Sequence, residues 1–257
     1  MANAAVDTQE LEGKVKDMYR HVAEQPEGKY HFEMGQVLAE RLGYPSDVLD
    51  HIPDGSIESF AGVGYFFDLA DLTEGESVID LGSGSGMDVF FAAERVGRSG
   101  GVVGVDFTVE QLEKARELAE RADYSQVEFR EGRIEQVPAE AASFDCVISN
   151  GVINLAPEKE LVFAEATRVL RPGGRLAIAD IVSEQQLKES IVCDADLWAS
   201  CIGGAAQEDA YRAAIESAGL RVDQVQENPY RFISDRAMNA SEKYGVKSVS
   251  VLASKPA

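Results

Sequence analysis

The stretch Ser77-Val78-Ile79-Asp80-Leu81-Gly82-Ser83-Gly84-Ser85-Gly86 decides the fold. A mostly apolar run enters a loop with glycine at alternate positions, and an apolar helical stretch, Met87–Val96, follows it. Such a strand–loop–helix turn lets backbone approach a ligand closely. The spacing is GxGxG, not the GxGxxG of dinucleotide sites, and Asp80 ahead of it suits an ammonium group and would repel a pyrophosphate. Twenty residues beyond Gly86, Asp106 ends the next apolar run, where an acid can accept both ribose hydroxyls in a doubly wound fold. Together these features favour S-adenosylmethionine over NAD as the ligand.

Outward from that turn, short apolar runs alternate with amphipathic stretches, the pattern of βαβ units around a parallel sheet. Strands are expected at Ser77–Leu81, Val102–Asp106, Val127–Glu131, Cys146–Ser149 and Leu176–Ile181, then at Arg221–Glu227 and Ser248–Ala253, the last antiparallel. Helices are expected at Met87–Val96, Val109–Ala122, Pro157–Val169 and Glu208–Ala218. Thr108 with Gln111 has the spacing of a capping box for the second of these. Residues 1–68 form a helical N-terminal extension or lid, and 69–257 the cofactor-binding domain.

The 257 residues can bury a sizeable core, with 45% hydrophobic content. Lys and Arg total 24 against 45 Asp and Glu, a formal charge of -21 that opposes binding to nucleic acid or anionic membrane. A Lys-poor, acid-rich surface suits a high-salt environment. Cys146, Cys193 and Cys201 are the only cysteines and contain no CxxC pair, so neither a disulfide framework nor a metal site is expected. A reducing cytoplasm fits, with no apolar leader and no run of eighteen apolar residues.

Asp80–Gly86, Gly104-Val105-Asp106-Phe107-Thr108 and Arg168-Val169-Leu170-Arg171-Pro172-Gly173-Gly174 resemble successive motifs of class I S-adenosylmethionine-dependent methyltransferases. More narrowly, Arg95-Val96-Gly97, Ser149-Asn150-Gly151-Val152-Ile153-Asn154-Leu155 and Cys201-Ile202-Gly203-Gly204-Ala205 resemble the arsenite methyltransferase branch. The resemblance implies an α/β, Rossmann-like fold with a mostly parallel doubly wound sheet, and S-adenosylmethionine converted to S-adenosylhomocysteine. It implies cofactor contacts from Tyr19, Asp80, Gly82, Ser83, Gly84, Met87, Asp106, Phe107, Ile134, Glu135 and Asn150. Ile134 is expected on the purine face, and Glu135 on its amino group.

The chain departs from that branch in its thiols. The branch holds arsenic(III) through several cysteines, whereas here none precedes Cys146, Gly151 stands in the second position, and Cys201 alone remains. One thiolate makes no multidentate soft cage. A small sulfur acceptor, sulfide or methanethiol, is therefore the first expectation. Arsenite, or a non-catalytic cofactor-binding role, is the alternative. Of the three histidines, His21, His31 and His51, His31 lies among aromatics and an acid in Tyr30-His31-Phe32-Glu33. Tyr30, His31, Glu33, Asn150 and Cys201 are the candidate catalytic residues. They would line an apolar pocket with Gly62–Phe67, read as an aromatic lid, and Trp198–Gly204. The expected partner is a small-molecule methyl acceptor, and the expected assembly a monomer or homodimer.

Overall fold

Residues 7–28, 30, 32–194, 197, 198 and 202–257 are described by the computed structural model, so the candidates His31 and Cys201 lie outside the described residues. The strands are β1 (Ser77–Leu81), β2 (Gly101–Asp106), β3 (Val127–Glu131), β4 (Phe144–Asn150), β5 (Leu170–Ser183), β6 (Ala206–Gln207), β7 (Arg221–Glu227) and β8 (Val246–Ser254). Among the described residues they form one eight-stranded sheet in the order β3-β2-β1-β4-β5-β8-β7, with β6 on the end of β5. β1 to β5 pair in parallel, and β8 runs antiparallel between β5 and β7. The central strands carry the apolar runs and are buried on both faces, as parallel sheets demand.

β5 starts six residues before the expected Leu176, because Phe144 already pairs with Leu170 before the Arg171-Pro172-Gly173-Gly174 excursion. Gly173 sits at φ 80, so the sequence reads as a turn while the ladder resumes at Arg175.

The helices up to β5 are α1 (Thr8–Glu24), α2 (Gly35–Leu42), α3 (Ser46–Leu49), α4 (Asp54–Glu58), α5 (Phe67–Ala70), α6 (Met87–Val96), α7 (Val109–Arg121) and α8 (Lys159–Val169). α1 starts where the Asp7 carboxylate accepts from the N–H groups of Gln9 and Glu10, and it buries Leu11, Val15 and Val22 on one face. α7 also starts after Thr108, but the expected capping box is absent. The Thr108 hydroxyl caps nothing, its N–H donates to Asp106 at 2.8 Å, and the Gln111 carboxamide is engaged elsewhere.

One hydrophobic cluster runs across residue 68, joining Leu38, Leu42, Leu49 and Ile57 of the extension to Phe90, Phe91 and Ala93 of α6. The stretch read as an aromatic lid belongs to that core. Tyr65 and Phe67 are buried, Phe67 lies 4.3 Å from Phe91 between centroids, and Tyr44 meets both Tyr65 and Phe91 edge-on. The Ser248 and Ser250 hydroxyls donate to the carbonyls of Val63 and Tyr65 and fix the backbone to β8. Aromatics with their faces satisfied inside the core cannot also move as a lid. Replacing Phe91 by alanine is expected to cost about 3–5 kcal/mol of stability, read as a lowered denaturation midpoint with unchanged slope; a change under about 1 kcal/mol would return the aromatic stretch to the surface.

Candidate active site

The parallel ladders bring the carboxyl ends of β1, β2 and β4 to one edge, and β1 is the strand from which the chain winds outward in both directions. The crevice at such a switch point is where open α/β sheets bind ligands. A cavity fills it here. Its floor is the loop after β1, with Asp80, Gly82, Ser83, Gly84 and Met87. Asp106 and Phe107 after β2, Ile134 and Glu135 after β3, and Asn150 after β4 supply the walls, and Tyr19 of α1 reaches in from above. All eleven residues expected at the cofactor thus border one cavity.

The glycine loop is tied to the ends of both strands. Gly82 and Ser83 donate their N–H groups to the Val105 carbonyl, and Gly84 N donates to Asp106 Oδ2 at 2.9 Å. Gly82 has φ 80, and a Cβ there would stand 2.5 Å from the Val152 methyls, so only glycine fits. Each Asp106 oxygen accepts one backbone N–H, from Gly84 or Thr108, and retains a lone pair for a further donor.

Asp80 is buried and its Oδ1 has no partner, and neither has the Ser83 hydroxyl. An orphaned carboxylate oxygen in a cavity wall fits the ammonium of a bound amino acid moiety, and Asp106 fits vicinal hydroxyls. The residues present therefore suit S-adenosylmethionine, whose amino group Asp80 would hold and whose ribose Asp106 would hold.

A third buried acid, Asp88, was not expected. Its Oδ1 accepts from the Tyr44 hydroxyl at 2.5 Å and its Oδ2 from Asn150 Nδ2 at 2.9 Å. Burial pushes its carboxyl up to about 6, against the pull of these two hydrogen bonds. Asp80 is also pushed up, first by burial and then by Asp88 and Asp106. The sequence signal was an acid within the otherwise apolar Met87–Ala93.

Among the candidate catalytic residues, Asn150 reaches the cavity but is fully engaged. Its Oδ1 accepts from Val63 N at 2.8 Å, and its Nδ2 also donates to the Gly64 carbonyl at 3.0 Å. It clamps the extension to β4, so a role as a free reacting-end group does not hold. Tyr30 and Glu33 are not brought to the cavity. The Tyr30 hydroxyl donates to the Gln25 carbonyl and its ring stacks on Phe32, while Glu33 is ion-paired with Arg41. Residues missed from sequence include Leu11, Glu12 and Val15 of α1, and Ser56, Ser59 and Phe60, whereas Gly62, expected in the lining, does border the cavity. Val15 stands at helical spacing with Leu11, Met18 and Val22, but that spacing does not say which surface the helix covers.

No thiol lies among the described residues of the lining. Cys146 is buried in β4, where burial pushes its thiol up to about 12. A neutral, enclosed thiol is neither ligand nor nucleophile. Trp198 closes one side from outside, packed with Leu11, Val15 and Leu155. Among the described residues no group of acids, histidines and cysteines has metal-binding geometry, and no helix is long and apolar enough to cross a membrane.

A family model for a methyltransferase domain matches residues 72–219. An arsenite methyltransferase of Halobacterium salinarum is 40% identical over 221 residues, covering 85% of this chain and 56% of that protein. One from Aquipseudomonas alcaligenes is 40% identical over 181 residues, 68% of this chain and 52% of its own. The chain thus spans about half the length of these curated relatives. The crystal structure of an arsenic(III) S-adenosylmethionine methyltransferase from Chlamydomonas reinhardtii superposes with TM-score 0.64 at 29% identity, covering 88% of this chain and 75% of that one.

An acid whose folded value rises from 3.8 to about 6 holds its proton more tightly folded than unfolded. Its contribution favours the fold below the unfolded value and is lost as pH climbs through the folded one. The cofactor-free protein is accordingly expected to lose stability relative to Asp88→Asn as pH rises from about 4 to about 6, measured by urea midpoints at intervals across that window. A constant difference between the two proteins would remove Asp88 as the titrating group.

Proposed function

The chain belongs to the class I S-adenosylmethionine-dependent methyltransferases, in the arsenite methyltransferase-like branch, and we propose that it methylates a small soft acceptor, with trivalent arsenic ahead of sulfur. The observation that carries the ordering is the field of the cavity. Asp80, Asp88 and Asp106 are buried in its wall, and no cation is among the main influences on any of them. Burial alone favours the neutral forms of these acids, but a cationic cofactor beside them favours the ionised forms, and that negative charge raises the energy of a small anion entering next to it. Arsenous acid is uncharged at neutral pH and offers a lone pair, whereas hydrosulfide and thiolates enter as anions.

When bound, the cofactor supplies an electrophilic methyl group on a sulfonium sulfur that departs with the bonding pair. Asp80 and Asp106 would hold its two polar ends, Ile134 and Phe107 would enclose the base, and Leu11, Val15 and Tyr19, which line the same cavity, would exclude water from above. Alignment and desolvation are the protein's main tasks in such a displacement. Sulfur remains as a second reading because the described lining carries no thiol to capture arsenic.

A screen with methyl-labelled cofactor against arsenite, sulfide and methanethiol, with volatile products collected, tests the ordering. Arsenite turnover above both sulfur acceptors is expected; turnover of the sulfur acceptors alone reverses it, and bound cofactor without any turnover points to a non-catalytic role. Asp106→Ala is expected to weaken cofactor binding by about 1.5–3 kcal/mol, about tenfold to 150-fold, in calorimetry on the folded variant. Unchanged affinity would detach Asp106 from the ribose.

A further inference from the structure

We propose that Gln111 is a positioning residue that couples the α1 cover to the glycine loop, so that the two walls of the cofactor cavity form or loosen as one unit. Gln111 is 1% exposed on α7, a helix whose other residues are mostly charged. A carboxamide buried to that degree needs both its ends satisfied. Its Oε1 accepts from the Ser85 hydroxyl in the glycine loop, and its Nε2 donates to the Tyr19 carbonyl of α1 at 2.8 Å. One planar group therefore holds two segments that border the cavity from opposite sides, and it borders the cavity itself.

Other polar ties of α1 to the body include a long bond from the Ser59 hydroxyl to the Val22 carbonyl at 3.4 Å and three exposed cationic contacts. Arg20 meets Glu110 at 2.9 Å and Arg133 meets Glu12 at 2.8 Å, all with substantial side-chain exposure, and Lys16 lies over the Phe107 ring at 5.0 Å. Exposed ion pairs are worth little and weaken further in salt. The Gln111 bonds are shielded from both solvent and salt. If either end is released, the carboxamide loses the orientation that serves the other, so a change at the glycine loop reaches α1 without touching it.

Hydrogen exchange of the cofactor-free protein tests this without reference to the reaction. Gln111→Leu is expected to accelerate amide exchange across residues 8–24 by at least about tenfold while amides of β1 and β4 keep their protection. The same contrast should persist in high salt, where the ion pairs are screened. Ser85→Ala is the milder variant, and it removes a hydroxyl that bonds Gln111 and not α1. It should also accelerate α1 exchange, by a smaller factor, which a purely local role for Gln111 in α7 would not produce. Unchanged α1 exchange in Ser85→Ala, or equal loss of protection in α1 and the sheet in Gln111→Leu, overturns the coupling.

A second arm rests on the cofactor reading: calorimetry with S-adenosylhomocysteine should show weakened binding in both variants. Undiminished affinity in both would overturn the coupling as a property of the cofactor cavity. Failure of the wild type to bind would instead count against the cofactor reading, leaving the exchange results to decide the coupling.

Discussion

Three carboxylates share one cavity wall, and none is neutralised by a lysine or arginine in hydrogen-bonding contact among the described residues. Removing such groups from water is costly, and the cost is met at two of the three. Asp106 takes two backbone N–H groups, Asp88 takes a phenol and an amide, and Asp80 keeps one oxygen unpartnered. The remaining deficit is what a cationic ligand would relieve. Much of the surrounding architecture follows from that arrangement: Gly84 must bring its N–H to Asp106, and Asn150 must turn its amide toward Asp88, which fixes the loop after β1 and the end of β4.

The N-terminal extension is bound to the same constraint. Tyr44 comes from the extension and donates to Asp88, while Val63 and Gly64 donate to Asn150, so the polar end of the site is completed by residues that precede the sheet in sequence. Beneath them the aromatic cluster around Phe91 supplies the apolar area that holds the extension in place. The polar network sets where the segment sits, and the packing supplies the larger part of the energy that keeps it there.

What was legible in the sequence is what depends on neighbours along the chain. β1, β3 and β7 start and stop where apolar alternation and turn residues say, and α6 follows the glycine loop as its spacing requires. The residues expected at the cofactor border one cavity because, Tyr19 of α1 apart, each lies at a strand end or in the turn just past one. What failed depends on contacts distant in sequence. Gly62–Phe67 reads as flexible and aromatic, and only its packing against α6 and β8 makes it core. Thr108 and Gln111 have capping-box spacing, yet Ser85 and Tyr19 compete for the same carboxamide and win, because a buried amide bonded at both ends outweighs a local cap.

The charge of the chain and the charge of the site act in the same direction but over different distances. A formal charge of -21 is spread over a surface where salt screens it within about 10 Å. The three cavity acids lie behind α1, where screening is weak and their field acts on whatever enters. Salt therefore alters the attraction of the whole molecule for a cation far more than it alters the selection made inside the cavity. An anionic acceptor meets both fields as repulsion, whereas a neutral acceptor meets neither. Burial keeps Cys146 protonated and Cys193 is not part of the cavity lining, so no thiol of the described lining offsets this preference by drawing the acceptor in through a covalent bond. On the proposed reading, the acceptor's own charge state is the property on which the described residues would discriminate.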